Sequence, residues 1–189
     1  MQITPKATGL ALVVLATLVL TGCVQQPPHV IPTSDPSVEP VFKSDAAALA
    51  AAKKAYLAYL AVSDQVAQDG GEDPQRFASV VTASWLGDEK SSAAQLRSSG
   101  RKQVGATRVT GVRLQETSQR GRIASVSIYA CLDLSGVQYA DAKSGANAVP
   151  APSELVPIQV DLESSAMTPK HLLVERNTPW QGTDFCPQS

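Results

Sequence analysis

No acidic residue precedes Asp35, no block of Lys and Arg occurs, and His29 and His171 are the only imidazoles in 189 residues. A formal net charge of −1 without a basic stripe lacks the electrostatic footprint of a nucleic-acid binder, so nucleic acid is not an expected partner. Phosphate-binding loops, dinucleotide glycine patterns and paired metal-binding histidines are missing, and the sequence therefore implies no cofactor and no metal. A serine nucleophile would need an acid and a histidine beside it, yet no Gly-x-Ser-x-Gly elbow occurs. Hydrolase chemistry is disfavoured. The longest apolar run, about residues 10–20, falls short of the ~20 residues that span a bilayer as a helix.

That run is nevertheless informative in its setting. A positive start from the amino terminus and Lys6, an apolar core and the small pair Thr21-Gly22 have the three-part pattern of an export signal. The motif Leu20-Thr21-Gly22-Cys23 resembles the lipobox of bacterial lipoproteins. The resemblance implies cleavage after residue 22, transfer of a diacylglycerol to the Cys23 thiol, and Cys23 as the new amino terminus acylated with palmitate-type chains. Two or three acyl chains anchor stably where one gives only marginal binding. The expected location is the outer face of the bacterial plasma membrane, with the bilayer as partner through the lipid. From residue 23 to 43 the composition turns to Pro, Ser, Gln and Asp, with Pro27, Pro28, Pro32, Pro36 and Pro40 along it. Such a stretch favours extended geometry and reads as a tether. His29 lies within it, without a neighbouring ligand type.

Loss of residues 1–22 leaves 167 residues with 15 basic and 17 acidic side chains, since Lys6 alone is removed. That length suits one domain, over 44–189. Once Cys23 is assigned to lipid, Cys131 and Cys186 remain as an even pair, expected to bridge in an oxidising compartment. A zinc pair is the competing reading, but the two lack the close ligand spacing of such sites.

Within the domain, Ser44 and Asp45 open an Ala-rich segment free of Gly and Pro until Gly70, which predicts a long helix. Leu49, Ala52, Tyr56, Leu60, Ser63 and Ala67 would form its inner stripe, with Lys53, Lys54 and Gln65 outside. Asp73-Pro74 starts a second helix, with the Asp as cap and Phe77, Val80, Val81 and Trp85 inside. Residues 88–99 suggest a third, stopped by Gly100. Strands follow over 107–116, 122–134, 157–163 and 170–177, the second alternating Ala124, Val126, Ile128, Ala130 and Leu132 against polar neighbours. The connection 135–156, with Gly145 and Pro150-Ala151-Pro152, is left without an element, and such a length is functional or mobile.

Helices followed by antiparallel strands predict an α+β fold: about three N-terminal helices packed on a curved antiparallel sheet of about four strands. This element order, with the closing Asn177-Thr178-Pro179-Trp180-Gln181-Gly182, is similar to the nuclear transport factor 2-like, cystatin-like group, in which helices and a bent sheet enclose a cone. In enzymes of that group an acidic residue pointing into the cone works as a general base. The resemblance implies Asp64, Asp161 or Asp133 for that role, with His171 a further acid–base candidate beside Tyr56 or Tyr59. Tyr56, Tyr59, Leu60 and Trp85 are the candidate pocket wall, and Trp180 a stacking or core-closing residue. Arg108, Arg113, Arg120 and Arg122 gather on the first hairpin as a basic patch or a solvated face. The leading expectation is a non-enzymatic lipoprotein that binds an apolar small ligand in its cone or a protein partner at the envelope; the alternative is an isomerase- or dehydratase-like enzyme with an acidic general base in the cone.

Overall fold

The computed structural model describes residues 38–152, 154–182 and 186. Residues 1–22, Cys23, His29 and most of the expected tether lie outside the described residues. The last tether residues belong to the domain: the Val41 side chain is buried, its amide donates to Gln119 Oε1 at 2.8 Å, and Phe42 packs on the core.

Helix α1 (Asp45–Gln68) begins where Ser44, in extended conformation, accepts a hydrogen bond from the Ala47 amide at 3.2 Å. Asp45 places a negative charge in the first turn, where the helix dipole favours it. The helix ends at Gly70 and Gly71, whose positive φ values of 69° and 85° turn the chain while the Gly71 amide caps the Val66 carbonyl at 2.8 Å. Its buried residues are Ala48, Ala52, Tyr56, Tyr59, Leu60 and Val66. The expected stripe is thus rotated by about one residue: Leu49, Ser63 and Ala67 are only half-buried, because Tyr59 turns inward and finds polar partners for its hydroxyl.

The second expected helix is a six-residue 3-10 segment, Pro74–Ser79. Pro74 takes the first position as expected, but Asp73 adopts a left-handed conformation and its side chain makes no cap. Phe77 and Val81 are buried, and Val80 and Trp85 pack partly on the core. Helix α2 (Leu86–Ser98) turns Glu89 and Ala93 inward.

Among the described residues seven strands follow: β1 Arg101–Val104, β2 Arg108–Arg120, β3 Ile123–Asp133, β4 Gln138–Asp141, β5 Val149–Pro150, β6 Leu155–Glu163 and β7 Leu173–Pro179. The larger sheet has the order β2-β3-β6-β7, antiparallel throughout. Register shifts interrupt it at Val109/Gly111 and Leu114/Glu116 in β2 and at Asp161/Leu162 between β6 and β7. Such bulges bend strands and add twist. The inward side of β3 buries Ala124 and places Val126, Ile128, Ala130 and Leu132 in one core with α1, with Ile158, Val160 and Leu162 of β6 and with Val174 of β7. The connection 135–156 is not structureless: it supplies β4 and β5, which join β1 in a second, three-stranded sheet. The α+β class therefore stands, with an additional small sheet.

Candidate functional site

Beneath α1 the interior holds a polar cluster rather than hydrocarbon alone. Tyr56 and Tyr59, one turn apart, stack with ring centroids 5.8 Å apart, and Phe77 lies 6.0 Å beyond Tyr59. The Tyr59 hydroxyl donates to Glu89 Oε1 at 2.8 Å and accepts from Asn177 Nδ2 at 3.2 Å. Asn177 Oδ1 in turn accepts from the Tyr56 hydroxyl at 3.2 Å, and Trp85 Nε1 donates to Glu89 Oε1 at 2.9 Å. Helix α1, the start of α2 and strand β7 are thereby joined by one hydrogen-bonded chain. Among the described residues no buried side-chain nitrogen or oxygen lacks a partner, as a stable polar interior requires.

Burial dominates the electrostatics of this cluster. Desolvation pushes the Glu89 carboxyl above its usual range, against the opposing pull of the Tyr59 and Trp85 hydrogen bonds. Burial, reinforced by Glu89, holds both tyrosine hydroxyls well above their ordinary values. An acid so raised binds a proton on folding. Its favourable contribution is complete below the ordinary carboxylate pKa and is lost as pH rises through the raised one. Glu89→Gln keeps an acceptor for Tyr59 and Trp85 without the ionisation. Its melting temperature is expected to pull ahead of the native protein as pH climbs from about 4 towards 8, and a pH-independent difference in thermal melts would refute this.

The residues singled out from sequence separate into different places. Asp64 stands at the far end of α1, where Gln103 Nε2 donates at 2.7 Å, the Thr107 amide at 2.9 Å and the Thr107 hydroxyl at 2.8 Å, pinning the helix to the β1–β2 connection. Asp161 lies on the outer sheet face and accepts from Ser127 Oγ at 2.7 Å. Asp133 ends β3 in an ion pair with Arg108 at 2.7 Å; hydrogen bonds from Ser135, then Arg108, bring its pKa down to about 2. His171 is exposed beside Lys54 and Lys170. The structure gathers Tyr56, Tyr59 and Trp85 into the cluster and buries Leu60 in the surrounding core. The four surface grooves described have other linings. Trp180 packs at a tilt on Tyr129 across the outer face, centroids 4.7 Å apart, and Cys131 bonds to Cys186, Cα atoms 5.3 Å apart.

Glu89 and Asn177 are the two cluster members that sequence reasoning missed. A signal for Glu89 existed: Trp85, Glu89 and Ala93 recur every four residues, the spacing of one helix face. Asn177 had none. Simple alternation from Leu172 and Val174 would turn residue 176 inward, but the register shift between β6 and β7 pairs Asn177 with Val160 and restores it to the core side.

A groove of about 500 Å³ runs between residues 38–48 and the β2–β3 hairpin, with Phe42, Ala48, Gln119 and Ala124 in its wall. No family model and no curated protein matches this sequence. Among solved structures, the chain is similar to the intermembrane space region of the chloroplast protein ARC6, with TM-score 0.50 and 10% identity over 69% of this chain and 95% of that one. A de novo designed β-sheet protein solved by NMR aligns at TM-score 0.27 and 14% identity, over 75% of this chain and 93% of that one, too distant a likeness to carry an argument. What the chain shares with the ARC6 region is its fold.

Proposed function

We propose that this chain is a bacterial lipoprotein, acylated at Cys23 and held on the outer face of the plasma membrane, whose domain is a nuclear transport factor 2-like cone that acts by binding. The observation that carries the binding reading is the filled interior beneath α1: Tyr56, Tyr59 and Phe77 pack there with Glu89 and Asn177, and among the described residues every buried side-chain polar atom is partnered. Recognition then falls to the outside, where an envelope protein or a small apolar ligand meets the grooves. Asp64 and Asp133 spend both carboxylate oxygens, and Asp161 its Oδ1, on bonds that hold the fold. The disulfide fits an oxidising, extracytoplasmic setting.

Replacing Cys23 by Ser is expected to move the protein from the membrane to the soluble fraction of its host, read by fractionation and by the loss of acyl mass. Continued membrane fractionation with unchanged mass would sink the anchor. A second reading has one specific observation behind it: Glu89 is a buried acid of raised proton affinity beside two tyrosines, the chemistry of a general base. For this isomerase-like alternative, Glu89 replaces Asp64 and Asp161 as the residue to test, and turnover of any carbonyl substrate that survives Glu89→Gln would exclude it.

A further inference from the structure

Three of the surface grooves share walls along one edge of the domain. Val38, Lys43, Arg122 and Lys170 line the first. Arg122, Pro169, Lys170 and His171 line the second. The third passes from Lys170 and His171 to Lys54 over an apolar floor of Val80 and Leu172. Lys43, Lys54, Arg122 and Lys170 are exposed, and none has an ion-pair partner among the described residues. Glu39 is the single acid on these walls. In the loop joining β6 to β7, Met167 is 89% exposed, and Val38, on the first wall, is 52% exposed. A chain whose formal net charge is −1 has thus gathered unpaired cations and two apolar side chains at one place.

We infer that this edge is a membrane-docking face that takes anionic phospholipid headgroups, with Met167 entering the headgroup layer. The inference rests on reading Cys23 as the lipid anchor, because the tether reaches the domain at Val38, on the wall of the first groove. The basic edge is then the part of the domain that arrives at the bilayer first. Lys and Arg near an anionic leaflet are attracted within a Debye length. An anchor raises the local concentration, so a modest attraction suffices to hold the domain down. The same tether extended would let it stand about 40 Å away, so headgroup charge sets whether the domain lies on the membrane or above it.

The test uses the full acylated protein, purified from the envelope and floated on vesicles of phosphatidylcholine alone or with about one-third phosphatidylglycerol. The sequence has two methionines, Met1 and Met167, so once the signal is removed peroxide oxidation followed by mass reports on Met167 alone. Oxidation is expected to run about fivefold slower on the anionic vesicles. Lys43→Glu, Arg122→Glu and Lys170→Glu together should restore the neutral-vesicle rate. Lys90→Glu, Lys102→Glu and Lys143→Glu, the same change in net charge elsewhere, should leave the protection in place. Equal rates on the two vesicles, or protection lost equally in both triple variants, would overturn the docking face. Flotation on neutral vesicles reads the anchor separately. Should it fail there, flotation on anionic over neutral vesicles still decides the docking face, with the same triple variants.

Discussion

Reduction of the Cys131–Cys186 bridge is expected to lower the stability of the domain by about 4 kcal/mol, the chain-entropy value for a closed loop of this size, given the sequence separation of 55. Cys131 is fully buried in the central strand β3, between Gly111 of β2 and Pro157 of β6. The bond therefore ties the segment after β7 to the middle of the larger sheet. Trp180 marks the same path, its ring tilted against Tyr129 and its amide donating to the Pro157 carbonyl at 2.8 Å. Cys186→Ser is the cleaner probe, since it leaves the buried position of Cys131 filled. Urea unfolding with and without reductant should show the loss in the native protein and no response in Cys186→Ser. A reductant effect below about 1 kcal/mol would mean that the unfolded chain is already compact enough to make the link redundant.

Gly71→Ala should cost about 3 kcal/mol or more, from a crowded, unyielding site and a left-handed backbone acting together. At φ 85° an added Cβ would meet the Ala93 carbonyl oxygen at 2.1 Å, its carbon at 3.0 Å and the Arg97 amide nitrogen at 3.2 Å. All three are backbone atoms of α2 and cannot swing aside as a side-chain tip would. Relief requires moving α2 away from the end of α1, which would stretch the Tyr59–Glu89 bond. Gly87→Ala supplies the contrast: nothing lies within 4 Å of its Cβ position and it sits in α2, so a gain of about 0.5–1 kcal/mol is expected. Equal effects of the two substitutions in urea melts would remove the steric explanation.

How much of this was legible in sequence follows from period and length. The alternation of β3 from Ala124 to Leu132 is strict, and the structure buries those five residues. Ser44 and Gly70 bound α1 because capping chemistry is local. Strands β1, β4 and β5 are four, four and two residues long, too short for a period to emerge, and their pairing is decided by distant partners. The polar cluster was half visible: the tyrosines stood on a recognisable helix face, whereas Glu89 looked like a solvated acid and Asn177 is turned inward by a register shift. A buried carboxylate is an exception to residue-type statistics, and only the neighbours that desolvate it reveal it.

Strand β2 is the outer member of its sheet, thirteen residues long. A straight edge of that length would be a template for adding strands from other chains. The two bulges break the regular spacing of hydrogen-bonding groups, and Arg108, Arg113 and Arg120 set exposed positive charge along the strand. The irregular strand that bends the sheet thus also guards against edge-to-edge self-association, and straightening it would turn that edge into a nucleus for aggregation.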